Sequence, residues 1–128
     1  MSLEKYRQTI EATITPVEYI IRLHEQLLLG CEQLEQLQEN STKEERYDTL
    51  QKLQRLFLEL LSMIDRTTEE GQRLFTAYFY CHQQIVEMRL SDTYDAVDAI
   101  KREIFALLSA WEAYLYKMRK QRGKSGRI

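Results

Sequence analysis

The stretch from Leu74 to Arg89 constrains this chain more than any other part of it. Laid on a helix at about 100° per residue, its apolar residues form two stripes rather than one. Leu74, Ala77, Tyr78, Cys81, Ile85 and Met88 make the first. Phe75, Phe79 and Val86 make the second, roughly 100° around the helix. A surface helix of a small bundle needs one apolar stripe to bury. The second stripe therefore predicts a helix that offers a face to something beyond its own bundle.

The rest of the chain supports helices. It has 128 residues, with one proline and four glycines. Aliphatic residues, Glu, Gln, Lys and Arg dominate, which suits long helices joined by short loops. Pro16, after Thr15 and two residues before Glu18, marks a helix start: a threonine cap, proline in the first turn, an acid at the third position. Val17, Ile20, Ile21, His24, Leu27, Leu28 and Cys31 then share a face, and the helix is expected to end near Asn40. A second helix is predicted from about Lys43 to Arg66. Its core face is Leu50, Leu53, Phe57, Leu60, Leu61 and Ile64, widened by Leu56 and Met63, with Leu58 nearly opposite. Thr67 or Thr68 caps the third, which ends near Leu90. Ser91 and Asp92 are read as the opening of a fourth. Val97, Ile100, Ile104, Leu107, Leu108, Trp111, Leu115 and Met118 form its core face, and it is expected to fray at residues 119–122.

Short polar turns between long helices imply antiparallel neighbours. The predicted fold is all-α: an elongated, antiparallel, up-down four-helix bundle preceded by an irregular or weakly helical segment. One domain, residues 1–122, is expected, followed by a basic tail at 123–128 that is disordered by composition.

Charge and composition exclude several functions. The net charge is −2, yet residues 117–128 carry six Lys/Arg and no acid, against 12 basic and 20 acidic residues elsewhere. Cations at a helix C-terminus answer its macrodipole. No aromatic residue follows Tyr116 among them, so nucleic acid is not the expected partner. No apolar run approaches the roughly 20 residues of a membrane span, and no signal peptide is read at the start. The protein is expected to be cytoplasmic and reduced, with Cys31 and Cys81 packed as small apolar residues.

Catalytic chemistry is not legible. Di-iron bundles use Glu-x-x-His pairs, but Ile21 and Phe79 precede His24 and His82 by three residues. Glu32 with Glu35, and Glu45 with Asp48, have the spacing of magnesium-binding pairs in all-helical nucleotide hydrolases. They flank a hairpin loop, so a solvated face is the expected reading and the hydrolase the weaker alternative. No metal, cofactor or catalytic residue is assigned. His24 sits within an apolar stripe, while His82 borders the second stripe of the third helix. Ala99, Ala106, Ala110 and Ala113 lie on an outer flank of the fourth helix, where small residues would let another helix lie close.

In order along the chain, these residues resemble the FliS family of flagellin export chaperones. Tyr6 and Gln8 resemble its N-terminal Tyr-x-Gln, and Thr15 to Glu18 its Ser-Pro-x-Glu helix start. Glu59-Leu60 and Ile64-Asp65 resemble its Glu-Leu and Leu-Asp positions. Leu74, Ala77, Tyr78 and Tyr80, then Ile85 to Glu87, resemble its third-helix pattern, and Ala110-Trp111 its Ala-Trp near the end of the last helix. There are departures. Leu23-His24-Glu25-Gln26 stands for Leu-Tyr-x-Gly, Glu87-Met88-Arg89 for Glu-Ala-Asn, and Tyr19 for an aliphatic residue.

The resemblance implies a non-enzymatic chaperone. It would bind the disordered C-terminal segment of flagellin, block premature polymerisation and serve the flagellar type III export apparatus. The candidate client-binding wall is Phe75, Phe79 and Val86 with Leu56 and Met63 from the second helix. Tyr6, Ile10 and Ile14 are expected to cover that groove in the free protein. A self-associating bundle, with a homodimer on the same face or another flagellar client, is the alternative.

Overall fold

The computed structural model of the protein describes residues 16–38 and 40–125. Tyr6, Ile10 and Ile14 lie outside them, as does the Thr15 cap. Four helices follow in order: α1, Pro16–Leu37; α2, Lys43–Met63; α3, Glu69–Ser91; α4, Val97–Ser125. Each of 21 to 29 residues, they are roughly 30–45 Å long. There is no strand among the described residues.

Cross-helix contacts establish the antiparallel order. Tyr19, early in α1, donates to Glu59 near the end of α2 at 3.2 Å. Glu35, late in α1, pairs with Lys101 early in α4 at 3.0 Å, and Glu18 pairs with Arg119 at the opposite end. Arg89, late in α3, donates to Gln54 of α2. Backbones pack closely between α1 and α4, α1 and α2, and α2 and α3. The α3–α4 side is bridged by long side chains instead, chiefly Trp111 donating to Tyr78.

The core follows the predicted periodicity closely in α2, α3 and α4. Leu50, Leu53, Phe57 and Leu60, then Tyr78, Cys81, Ile85 and Met88, then Val97, Ile100, Ile104 and Leu108 are buried. In α1 the buried stripe is Tyr19, Ile20, Leu23, His24, Leu27, Cys31 and Leu34. It is rotated from the expected face, leaving Val17, Ile21 and Leu28 half-buried. The cause is that α1 packs against both α2 and α4, so its burial is set by two neighbours.

Four boundaries differ from expectation. α1 ends at Leu37, where the Ser41 hydroxyl hydrogen-bonds the Leu37 carbonyl and Thr42 caps α2 through the Glu45 N–H. α2 stops at Met63 rather than Arg66, because Asp65 accepts from both the N–H and the hydroxyl of Thr67. Such local side-chain bonds offer the backbone an alternative to the helix. Ser91 and Asp92 close α3 instead of opening α4. Asp92 adopts the left-handed conformation, φ 52° and ψ 39°, and its N–H bonds the Met88 carbonyl as a C-cap. Arg46 and Tyr94 hold its carboxylate there, Tyr94 at 2.6 Å. α4 runs to Ser125, past the expected fraying point and into the stretch read as tail.

The start of α3 depends on Gly71. Its N–H is bonded by the Thr68 hydroxyl at 2.9 Å. A Cβ there would lie 1.7 Å from the Asp65 carbonyl oxygen and 2.8 Å from the Thr68 hydroxyl. Both are fixed by the turn. Gly71→Ala is expected to cost about 1–3 kcal/mol by overpacking; urea denaturation of the variant checks it, and an unchanged midpoint would mean that the turn relaxes freely.

Candidate functional site

Two places on the bundle combine aromatic and polar groups. One is internal. His24 of α1 is fully buried, and its Nδ1 lies 2.7 Å from the Ile20 carbonyl. A carbonyl only accepts, so Nδ1 carries the proton and Nε2 is an acceptor. The Tyr78 hydroxyl lies 2.7 Å from Nε2 and donates to it. Trp111 Nε1 donates to the same hydroxyl oxygen at 2.9 Å. This chain ties α1, α3 and α4 together, and every member is satisfied only while His24 is neutral. Burial holds its pKa below the ordinary value of 6.5, and pushes that of Tyr78 up. The unfolded chain therefore takes a proton that the folded one resists. Stability from this group is whole above about pH 6.5 and is lost as pH falls below it. Urea midpoints measured between pH 7.5 and 5.5 are expected to fall with pH; a flat profile would contradict the arrangement. Cys31 and Cys81 are also buried, with thiols pushed up to about 12 chiefly by burial, which makes them unreactive.

The other place is the surface seam between α2 and α3. Phe75, Phe79, His82 and Val86 recur every three or four residues along the α3 flank that faces α2. The Phe75 and Phe79 rings stack at 6.0 Å and 10°. Phe79 stacks on His82 at 6.3 Å and 24°. Arg66, in the connecting loop, sits 3.9 Å over the Phe75 ring. Val86 lines a concavity of about 290 Å³ with Leu90 and Arg89 of α3 and with Tyr47 and Gln54 of α2. Phe79 remains 43% exposed and Leu90 81% exposed. Large apolar groups left in water along one flank mark an interaction surface.

The five predicted wall residues do not share one groove. Phe75, Phe79 and Val86 lie together on this seam. Leu56 instead lines a separate groove between α1 and α2, with Leu29, Gly30 and Leu53. Met63 follows seven residues after Leu56, on the same flank of α2. The sequence reading paired them with α3 because both stripes widen a core face. Periodicity could not say which neighbour each flank meets.

Tyr47, Leu90 and the cations Arg66 and Arg89 were not picked out from sequence. Leu90 had a usable signal, four residues beyond Val86. Phe105, 62% exposed, rims a third groove with Leu28 on the α1–α4 side. Ala99, Ala106, Ala110 and Ala113 are exposed along α4.

No group of three His, Cys, Asp or Glu converges among the described residues. Glu35 is paired with Lys101. No helix among the described residues is long and apolar enough to cross a membrane.

The architecture defines an antiparallel four-helix bundle with an aromatic seam along its third helix. A solved structure described as a flagellar chaperone from bacteria has the same fold. It is 22% identical, with a TM-score of 0.76, over 90% of this chain and 98% of that one. Comparison with curated proteins found no significant match. Over residues 2–118 the sequence matches the family described as flagellar protein FliS, and the chain belongs to that family. Membership makes it a flagellar protein.

Proposed function

We propose that this protein binds the disordered C-terminal segment of flagellin in the cytoplasm, holds it against the α2–α3 seam, and keeps it from polymerising before export. The observation that carries this reading is the seam itself. A member of the flagellar protein FliS family exposes Phe79 and Leu90 on the flank of α3 that its own core does not use. An amphipathic segment laid along such a flank buries its apolar side as a helix in a groove. Delivery to the flagellar type III export apparatus follows from holding the client unfolded and soluble. No bond is made or broken in this role, and no residue of the seam is asked to act as acid, base or nucleophile. The segment carrying Tyr6, Ile10 and Ile14 would shield the seam until the client arrives.

Calorimetry with a synthetic C-terminal peptide of the source cell's flagellin tests the reading. Binding is expected with a negative heat-capacity change, from burial of apolar surface. Circular dichroism is expected to show helix gained in the mixture. No heat and no competition at high micromolar peptide would refute it.

A further inference from the structure

The seam is apolar along its length but not at its ends or its centre. At one end is Arg66, over the Phe75 ring. At the other, Arg89 and Lys43 both lie over the Tyr47 ring, at 5.9 and 5.3 Å. None of these three cations has a carboxylate within ion-pair distance among the described residues. Asp65 is bonded by Thr67, and Asp92 by Arg46 and Tyr94, with Lys43 near enough to help hold its pKa down. The seam is thus bracketed by cations that make no close ion pair among the described residues, on a chain whose net charge is −2.

At its centre lies His82. Both ring nitrogens are buried, and neither has a hydrogen-bond partner among the described residues. Burial alone holds its pKa below 6.5, so the ring is neutral near pH 7. By helical spacing, α2 carries Leu58 and Leu61 on the flank that holds Gln54. A neutral imidazole offers one donor and one acceptor. Leaving both unmade is unfavourable, and a buried polar group without a partner asks for one. Phe79, partly exposed, lies beside it, the two rings nearly parallel, with centroids 6.3 Å apart and planes at 24°.

The geometry points to a client selected by polar contacts at three places: carboxylates on Arg66 at one end and on Arg89 and Lys43 at the other, and between them a hydrogen-bonding side chain on His82, reached when the client displaces the Phe79 ring. Phe75 to Arg89 spans 14 residues of α3, so the fitting segment is about four helical turns, roughly 21 Å. It carries acids near both ends and an amide or hydroxyl side chain among its apolar anchors. This inference rests on the proposed client reading and says which segment the seam accepts.

The test titrates the flagellin C-terminal peptide into the full-length protein and two variants. The double variant Arg66→Gln, Arg89→Gln is expected to bind about fivefold more weakly at low salt, with a flatter salt dependence. His82→Phe is expected to lose about fivefold in affinity while its melting temperature does not fall, since two unpartnered nitrogens have gone. In the wild type, the ring-nitrogen resonances of His82 are expected to shift on peptide addition, which needs no variant to fold. Either variant binding as the wild type does, or resonances that stay still in a saturated complex, overturns the proposal. A wild-type protein that takes no peptide overturns the client reading beneath it, so the two failures are distinguishable.

Discussion

Tyr78→Phe is expected to destabilise the bundle by about 2–3 kcal/mol, although it removes a single oxygen atom. That oxygen accepts from Trp111 and carries the proton that His24 Nε2 accepts. Without it, two polar groups on two other helices lose their partners at once. Trp111 is only part-buried and can turn to water, so its share is small. His24 is fully buried and cannot. Leaving a buried polar group unpaired costs its desolvation, which exceeds the modest net worth of an ordinary hydrogen bond. The position of Tyr78 makes the loss more than local. Backbones do not pack closely between α3 and α4, so this chain of bonds is a main tie across that side. Urea denaturation of the variant beside Trp111→Phe separates the two partners. Tyr78→Phe is expected to lose clearly more. A loss below about 1 kcal/mol would mean that His24 finds another donor and that the relay adds little.

Phe79→Asp is expected to weaken client binding at least tenfold while the free protein keeps its fold. The ring is 43% exposed and, among the described residues, stacks on Phe75 and His82, its neighbours on the same flank. A carboxylate there stays in contact with water, so the free bundle does not bury a charge. In the complex the same carboxylate would lie beneath an apolar segment, and desolvating it opposes binding. Aromatic residues at the centre of an interface also contribute out of proportion to their number. Phe57→Asp is the contrast, because Phe57 is fully buried and a charge there should unfold the bundle. Melting temperature and peptide affinity measured on both variants decide the matter. If Phe79→Asp melts as low as Phe57→Asp, Phe79 belongs to the core and the seam is not a free surface. If it melts normally and binds peptide unchanged, the client lies elsewhere on the bundle.

Much of this architecture was legible in the sequence because helix formation is local. Threonine caps, few breakers and apolar residues at helical spacing determined four helices, their antiparallel sequence and most of the core. Leu50, Leu53, Phe57 and Leu60 in α2, and Tyr78, Cys81, Ile85 and Met88 in α3, fall where a period near 3.6 residues puts them. The same reasoning found the second stripe of α3 and left Phe79 outside the core. It failed at the Asp92 junction, where the same serine and aspartate suit either end of a helix. There the guanidinium of Arg46 and the hydroxyl of Tyr94, from the start of α2 and from the linker to α4, settle the turn.

Sequence periodicity measures angle around one helix axis and says nothing of which neighbour lies at that angle. Only the tertiary structure could therefore part Leu56 from Phe75, Phe79 and Val86, by placing α1 on one side of α2 and α3 on the other. Only it could show that His24 has its partners while His82 has none among the described residues. Both are histidines on helical faces with aromatic neighbours, and nothing local separates them. What separates them is distance through space, because the hydroxyl that satisfies His24 arrives 54 residues later on another helix, and among the described residues none arrives for His82.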